Sequence, residues 1–222
     1  MKNYFNQIFV IFWKDALLEF RTKEIFTSVL VFSLLIVLTF SLGLDNIPVT
    51  IPTVASGILW IAIIFGGVIA MNRTYATEVE TGVINRILLS SISRDAFFFG
   101  KALSNIALMI FLEIVLVPTI IVLYDLDIPL IDLILLSMLV ILAISLIGTL
   151  FSAIAIKTKE VMLPILMLPI LTPVLIAAVE TTSALIVGQT ISDTQKWVSL
   201  IVVFDAIFLV LSPFLFTLIV SE

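Results

Sequence analysis

Six long apolar stretches alternate with short polar connections along the chain. They are Ile25–Leu44, Thr53–Met71, Ala102–Tyr124, Ile131–Ile156, Val161–Val179 and Val198–Val220. A helix needs about 20 mostly apolar residues to cross the hydrocarbon core of a bilayer, and each stretch comes close to that length. We therefore predict an all-α membrane protein with six transmembrane helices. The longer polar stretch after Val179 leaves room for a short outer helix before the sixth span.

Residues 1–24, ahead of the first span, carry apolar and aromatic side chains at helical spacing. These are Phe5, Ile8, Phe9, Phe12, Trp13, Ala16, Leu17 and Phe20. Asp15 and Glu19 intrude on the edge of this apolar face. An aromatic face with basic flanks is typical of helices that lie at the membrane interface. The pattern predicts an N-terminal interfacial amphipathic helix, and it is equally compatible with an ordinary lead-in to the first span.

The segment 72–101, between the second and third spans, combines charge with a regular apolar stripe. Thr77 and Glu80 have the spacing of a capping box, which starts a helix. Five apolar residues then recur on one face, whereas Glu78, Thr81, Asn85 and Arg86 fall outside it; the stripe is Val79, Val83, Ile84, Ile87 and Leu88. This pattern predicts a short amphipathic helix that ends before SSISRD at 90–95. Such a helix either docks into a groove of a soluble partner or lies on the membrane surface.

Composition agrees with this membrane assignment and narrows the chemistry. The 222 residues are 62% hydrophobic and 12% charged, against about 45–50% and about 25% in soluble domains. The mean hydropathy is +1.32. Cysteine and histidine are both absent from the sequence, which excludes disulfides and thiolate metal sites and removes the commonest general base. We expect no metal site and no catalytic residue in this chain.

The distribution of Lys and Arg predicts the topology. Four of the eleven precede the first span, four lie between spans two and three, and two lie between spans four and five. Lys196 is the single cation expected on the other side. Because cytoplasmic loops carry the excess of Lys and Arg, both termini and the segment 72–101 are predicted to be cytoplasmic.

Several residues inside the spans are candidates for function. Glu113 lies near the centre of the third span, where a carboxylate is costly in lipid and has either a functional or a packing role. Asp205 lies nearer the outer end of its span, and we expect water to reach it. Helix breakers occur at Pro118 in span three and at Pro164, Pro169 and Pro173 in span five, which indicates tolerated bends or a moving gate. Ala62, Gly66 and Ala70 form a small-residue stripe for close helix packing, within the subunit or across a dimer.

The stretch YATEVETGVINRILLSSISRDAFFFGKALSNIALM at 75–109 resembles the corresponding loop of type-two ABC exporter permeases. In those proteins an acidic-x-acidic-x-Gly sequence, a Leu-rich run and a Gly/Ala-Lys pair connect the second and third spans. The matching positions here are Glu78, Glu80, Gly82, Ile87, Leu88, Leu89, Gly100 and Lys101. Within that class the chain resembles the CcmB family, the heme-exporter permeases of cytochrome c maturation. The stretches at 56–73 and 163–178 extend the resemblance.

This resemblance implies that residues 25–222 form a six-span permease domain of an inner-membrane ABC exporter, working as a pair with a cytoplasmic ATPase. The chain lacks the G-x-x-x-x-G-K-[ST] sequence of a nucleotide-binding loop, so a separate subunit has to bind ATP. The residues expected to couple to that subunit are Glu78, Glu80, Gly82, Val83, Arg86, Ile87 and Leu88. We expect no cofactor bound to this chain and no nucleic-acid partner.

If the complex handles heme, the absence of His and Cys leaves only Met and Tyr as axial ligands, which are minority choices. A heme-handling membrane protein is therefore expected as a further partner. Two other functions remain open. The chain could serve an ABC exporter for another cargo, such as a lipid-linked glycan or a drug, or it could be an ion-driven transporter that uses Glu113.

Overall fold

The protein is an all-helical bundle. The structure, a computed structural model, describes residues 2–44, 51–75, 78–79, 81–82, 92–158 and 163–221, and no strand occurs among them. Six of its helices are long and apolar enough to cross a membrane, which confirms the predicted fold class. In chain order the seven helices of the described residues are α1 (Lys2–Thr22), α2 (Glu24–Leu44), α3 (Ile51–Met71), α4 (Arg94–Tyr124), α5 (Leu130–Thr158), α6 (Leu163–Ile186) and α7 (Gln195–Ser221).

Helix α3 lies at the centre of the bundle. In its membrane span 72% of the residues are buried, against 22% in α4 and in α7. It packs against α2, α4, α5 and α6, while α7 packs against α4, α5 and α6 on the other side. The buried Trp60 of α3 donates a hydrogen bond from its indole N–H to the hydroxyl of Thr182 in α6, at 2.9 Å. The polar indole N–H thereby has a hydrogen-bond partner inside the apolar core.

The small-residue stripe of α3 lies inside this bundle. Ala62 is fully buried and Ala70 nearly so, and a side chain at Gly66 would come within 2.5 Å of the Ser33 hydroxyl of α2. The same hydroxyl donates a hydrogen bond to the carbonyl of Ala62, at 3.1 Å. Helix α2 therefore approaches α3 closely at this stripe, as small residues permit in membrane helices.

Helix α1 turns sharply into α2 at Lys23. The backbone of Lys23 has φ +54°, and the Glu19 carboxylate accepts a hydrogen bond from the Phe26 N–H, at 2.7 Å. The aromatic side chains Phe5, Phe9, Trp13 and Phe20 are all exposed, from 56% to 81%. Glu19 thus lies on the packed face of α1, where it caps the next helix instead of disturbing an apolar surface.

Two predicted span boundaries are wrong. Helix α4 begins at Arg94 and not at Ala102, because the Ser93 hydroxyl accepts from the Ala96 N–H at 3.3 Å and caps the helix. Helix α6 extends past Val179 to Ile186, and Gly188, with φ +84°, follows its end. The short outer helix expected after span five is instead the continuation of α6 followed by turns at 187–194.

The prolines inside the spans lie within continuous helices. Pro118 lies in α4, and Pro169 and Pro173 lie in α6. Pro164 is the second residue of α6, where the backbone N–H that proline lacks has no partner in a helix anyway. The helices therefore tolerate all four prolines, and the moving gate stays a prediction.

Candidate functional site

Helix α1 crosses the start of α4 at Gly100. A side chain at this glycine would lie 2.7 Å from the Ile11 Cβ and 3.1 Å from the Ile8 carbonyl oxygen. Both are atoms of α1, and one of them is backbone, so neither can move aside cheaply. Glycine is required here because the two helices approach so closely. The contact brings the packed face of α1 against the next residue of α4, Lys101.

Lys101 is the centre of a buried ion-pair cluster, formed with Lys14, Asp15 and Glu78. Its side chain is only 3% exposed, and its ammonium lies 2.7 Å from Glu78 Oε1 and 3.0 Å from Asp15 Oδ2. It also donates a hydrogen bond to the Thr74 carbonyl, at 2.7 Å. Lys14 pairs with Asp15 at 2.9 Å and with Glu78 Oε1. The cluster therefore joins α1, the residues after α3 and the start of α4.

The charges of the ion-pair cluster balance, with two cations against two carboxylates. Burial acts to raise the pKa of the Glu78 carboxyl, but Lys101 and Lys14 outweigh burial and hold that pKa below its ordinary value. Burial likewise acts to lower the pKa of Lys14, but Asp15 and Glu78 outweigh it and raise that pKa. Both residues are therefore charged at neutral pH. Opposite charges are needed in such a site, because unpaired charge is strongly disfavoured when it is buried. The second carboxylate oxygen of Glu78, Oε2, has no hydrogen-bond partner among the described residues.

Aromatic rings form the wall on the α7 side of this cluster. The Lys101 ammonium lies 5.5 Å from the ring centre of Tyr75 and 5.9 Å from that of Phe97. Tyr75 stacks on Phe216 of α7, with ring centres 5.9 Å apart and planes 18° apart. Burial, with smaller contributions from the Glu78 and Asp15 carboxylates, raises the pKa of Tyr75 well above its ordinary value. Tyr75 is thus a neutral, buried contact between the residues after α3 and the last helix.

The start of α4 is held by both ends of the chain. Asp95 accepts a hydrogen bond from the Thr217 hydroxyl of α7, at 2.9 Å. On the other side, the Ser93 N–H donates to the side-chain oxygen of Gln7 in α1, at 3.2 Å. Any displacement of the segment that enters α4 therefore acts on α1 and α7 together.

The chain was compared with known protein families. The model of the CcmB protein family matches residues 6–221 of the chain, which include most of α1, the residues of the ion-pair cluster and all six spans. The chain belongs to the CcmB family. With six apolar helices, it is a multi-pass protein of the inner membrane.

Curated relatives of this CcmB-family chain carry the name Heme exporter protein B. The protein of that name from Escherichia coli (strain K12) is 23% identical over 100 residues, which is 43% of this chain and 46% of the relative. The protein from Shigella flexneri matches with the same values. The match thus spans about half the length of these curated relatives.

The structure revises one part of the expected coupling segment of this CcmB-family chain. Glu78 and Val79 are helical, but Thr81 and Gly82 form a turn in which Gly82 has φ +65°. A left-handed glycine ends a helix, so the continuous helix predicted from Thr77 to Leu88 is wrong at this point. The capping-box residues Thr77 and Glu80 lie outside the described residues, as do Val83, Arg86, Ile87 and Leu88.

Glu78 itself differs from the expectation for an exposed polar face. Its side chain is 4% exposed and lies inside the ion-pair cluster, so it anchors the segment to α1 and α4. Its carboxylate is not presented to a cytoplasmic partner. The adjacent Val79 is 40% exposed.

The two carboxyls inside the spans have different surroundings. Glu113 of α4 is half-buried. Asp205 of α7 is 5% exposed, and neither of its carboxyl oxygens has a hydrogen-bond partner in the described part of the chain. The expectation that water reaches Asp205 is wrong, because the side chain points into the bundle. None of the described residues form a group of three or more acidic side chains that could hold a metal ion.

Three members of the cluster were absent from the residues expected to couple, namely Lys14, Asp15 and Lys101. Two of the three, Asp15 and Lys101, were marked by a signal in the sequence. Asp15 interrupts an otherwise apolar helical face, and Lys101 follows a glycine at the start of a span. A charge in such a place needs a partner, and the partner here comes from a distant part of the chain.

Proposed function

We propose that this chain is the membrane-spanning subunit of an ABC exporter that serves cytochrome c maturation. Membership of the CcmB family supports this proposal, and so do the relatives named Heme exporter protein B. The sequence contains no nucleotide-binding loop, so ATP would be bound and hydrolysed by a separate cytoplasmic subunit. A second copy of this chain and a heme-handling membrane protein complete the proposed complex.

The observation that carries the mechanism is the buried ion-pair cluster. The segment 72–101 is proposed to receive the ATPase on the cytoplasmic side, with both termini on that side as well. Glu78, near the start of this segment, is tied to Lys14 of α1 and to Lys101 of α4. Closure of the ATPases would move the segment, and the cluster would pass that movement to the interfacial helix and the third span. Packed elements transmit such displacements because they have few alternative arrangements.

The cluster gives this chain a role in coupling and no role in heme ligation. Its side chains are lysines and carboxylates, and the sequence has no His or Cys. The methionines Met71, Met109 and Met167 are fully buried in the apolar core, where they pack as Met commonly does. We propose that partner proteins supply the axial ligands while this subunit drives heme export or release of a heme chaperone.

The coupling proposal is tested with the complex reconstituted in nanodiscs. The double variant Glu80→Ala/Arg86→Ala is expected to lose the stimulation of ATP hydrolysis by the membrane subunit, while the complex still inserts and assembles. Lys196→Ala is the matched control, since that charge is predicted to lie on the opposite side of the membrane. Full stimulation in the double variant would show that the ATPase docks elsewhere.

The cargo is tested by purification from native membranes. A cytoplasmic ATPase and a heme-containing membrane protein are expected to co-purify with the tagged chain. Recovery of the ATPase together with a glycan-transferring enzyme would instead assign the exporter to another cargo. Transport driven by a pH gradient in vesicles without the ATPase, and abolished in Glu113→Gln, would assign the chain to the ion-driven transporters.

A further inference from the structure

A pocket of about 260 Å³ lies between α1, α2 and α4, next to the ion-pair cluster. Its apolar walls combine aromatic and aliphatic side chains, with Phe12 and Phe20 from α1, Phe26 from α2, and Leu108 and Phe111 from α4. Its polar residues come from the side of the cluster. The pocket is therefore amphiphilic, with both apolar and charged side chains in its lining.

The mouth of the pocket faces the surroundings of the bundle. Phe20 is 81% exposed and Leu18 is 43% exposed, and Ala107 on the α4 side is exposed as well. Because α2 and α4 are membrane spans and α1 carries the aromatic face of an interfacial helix, those surroundings are lipid. The ligand that reaches this pocket most directly is a component of the bilayer.

The charged lining of the pocket is balanced. Arg73 and Lys101 supply two cations, and Asp15 and Glu19 supply two carboxylates. Lys101 and Asp15 are already paired in the cluster. Arg73 is 55% exposed and pairs at 2.5 Å with Glu24, which is 64% exposed. Because an exposed ion pair of this kind adds little stability, a phosphate group can compete for Arg73. The nearby Glu19 favours a head group that also carries a positive charge.

The volume limits what enters. Pockets for drug-sized ligands begin at about 300 Å³, so 260 Å³ holds part of a lipid and not a whole one. We propose that this pocket binds one acyl chain of a zwitterionic membrane glycerophospholipid, with the head group at Arg73 and Glu19. This inference rests on the membrane assignment alone and holds for any cargo of the exporter.

The test uses a phosphatidylethanolamine with a photoreactive diazirine in one acyl chain, at low mole fraction in nanodiscs that hold the full chain. Crosslinks are expected to concentrate in peptides covering residues 12–26 and 104–111. Ala107→Phe fills the mouth of the pocket and should reduce this labelling at least fivefold. Ile114→Phe is the matched control, because Ile114 lies on the same helix, is 63% exposed and does not line the pocket.

Three outcomes would overturn the proposal. The first is equal labelling of the Ala107→Phe and Ile114→Phe variants, which would mean that the probe reports only bulk lipid. The second is stronger labelling of the same peptides by an anionic phosphatidylglycerol probe with the same chain. The third is displacement of the probe by heme, followed through the heme absorbance, which would assign the pocket to heme. Matching circular dichroism and elution profiles of the two variants exclude misfolding as the cause of any loss.

Discussion

Replacing Lys101 by methionine tests whether the ion-pair cluster holds the fold together. Methionine keeps most of the length of the side chain and removes the charge. The change deletes contacts with Glu78 at 2.7 Å, Asp15 at 3.0 Å and the Thr74 carbonyl at 2.7 Å. Two carboxylates then remain beside Lys14, which is half exposed.

The expected loss follows from this geometry. Removing one partner of a buried ion pair costs about 3–5 kcal/mol, because the remaining charge is left without compensation. By contrast, Arg73→Gln removes an exposed pair, which is worth about 0–1 kcal/mol. The double variant Lys101→Met/Glu78→Gln should lose less than Lys101→Met alone, since it leaves Lys14 and Asp15 as a matched pair. The effects of substitutions on the free energy of unfolding are not additive when the residues share one ion-pair network.

The measurement is the free energy of unfolding in mixed micelles, by titration with a denaturing detergent and tryptophan fluorescence. The chain has three tryptophans to report the transition. Lys101→Met is expected to unfold at a clearly lower detergent fraction than Arg73→Gln. If the two variants differ by less than about 1 kcal/mol, the cluster does not hold α1 to α4 and the reasoning fails.

Three further predictions concern stability. The pKa of Glu78 lies below its ordinary 4.5 in the folded protein, so the stability that its charge contributes is present above about pH 4.5 and is lost as the pH falls through the folded value. The difference in unfolding free energy between wild type and Glu78→Gln should therefore shrink on acidification. Shrinkage between pH 5 and 8 would contradict this. Gly100→Ala should lower the free energy of unfolding by about 1–3 kcal/mol, because the added methyl group forces α1 away from α4. Gly57→Ala, where the added methyl group meets nothing within 4 Å, should raise it by about 0.5–1 kcal/mol. Equal thermal midpoints of the two variants would refute the close crossing. Asp205→Val should stabilise the protein by about 1–3 kcal/mol, since it removes a buried carboxyl without hydrogen-bond partners among the described residues. Asp127→Val, at an exposed position, should have little effect. A loss of stability in Asp205→Val would show that the carboxyl has a partner.

Hydrophobic length predicted the six spans because the bilayer imposes the same requirement on every crossing helix. It failed where a helix runs beyond that requirement. Helix α4 begins eight residues before the expected Ala102 because Ser93 caps it. Phe97, Phe98 and Lys101, which follow that cap, are buried inside the bundle. Local hydropathy does not register such an extension.

The candidate site could be predicted only in part, because its residues come from segments that are far apart along the chain. The segment around Glu78 was recognised from its local pattern and its resemblance. Its partner Lys14 is 64 residues away, and no periodicity in either stretch reports that pairing. Asp15 was visible only as an irregularity in an apolar face. The burial of Asp205 was missed because a hydropathy pattern does not say which way one side chain of a span points.

The separation of 64 positions between Lys14 and Glu78 also sets an order of events during synthesis. At about 5–20 residues per second, roughly 3–13 s pass between the synthesis of Lys14 and that of Glu78, and Lys101 comes later still. During that interval Glu78 and Lys101 are not available to pair with Lys14 and Asp15. Helix α1 is thus made before the residues that hold it, and it is one of the last helices to reach its final position.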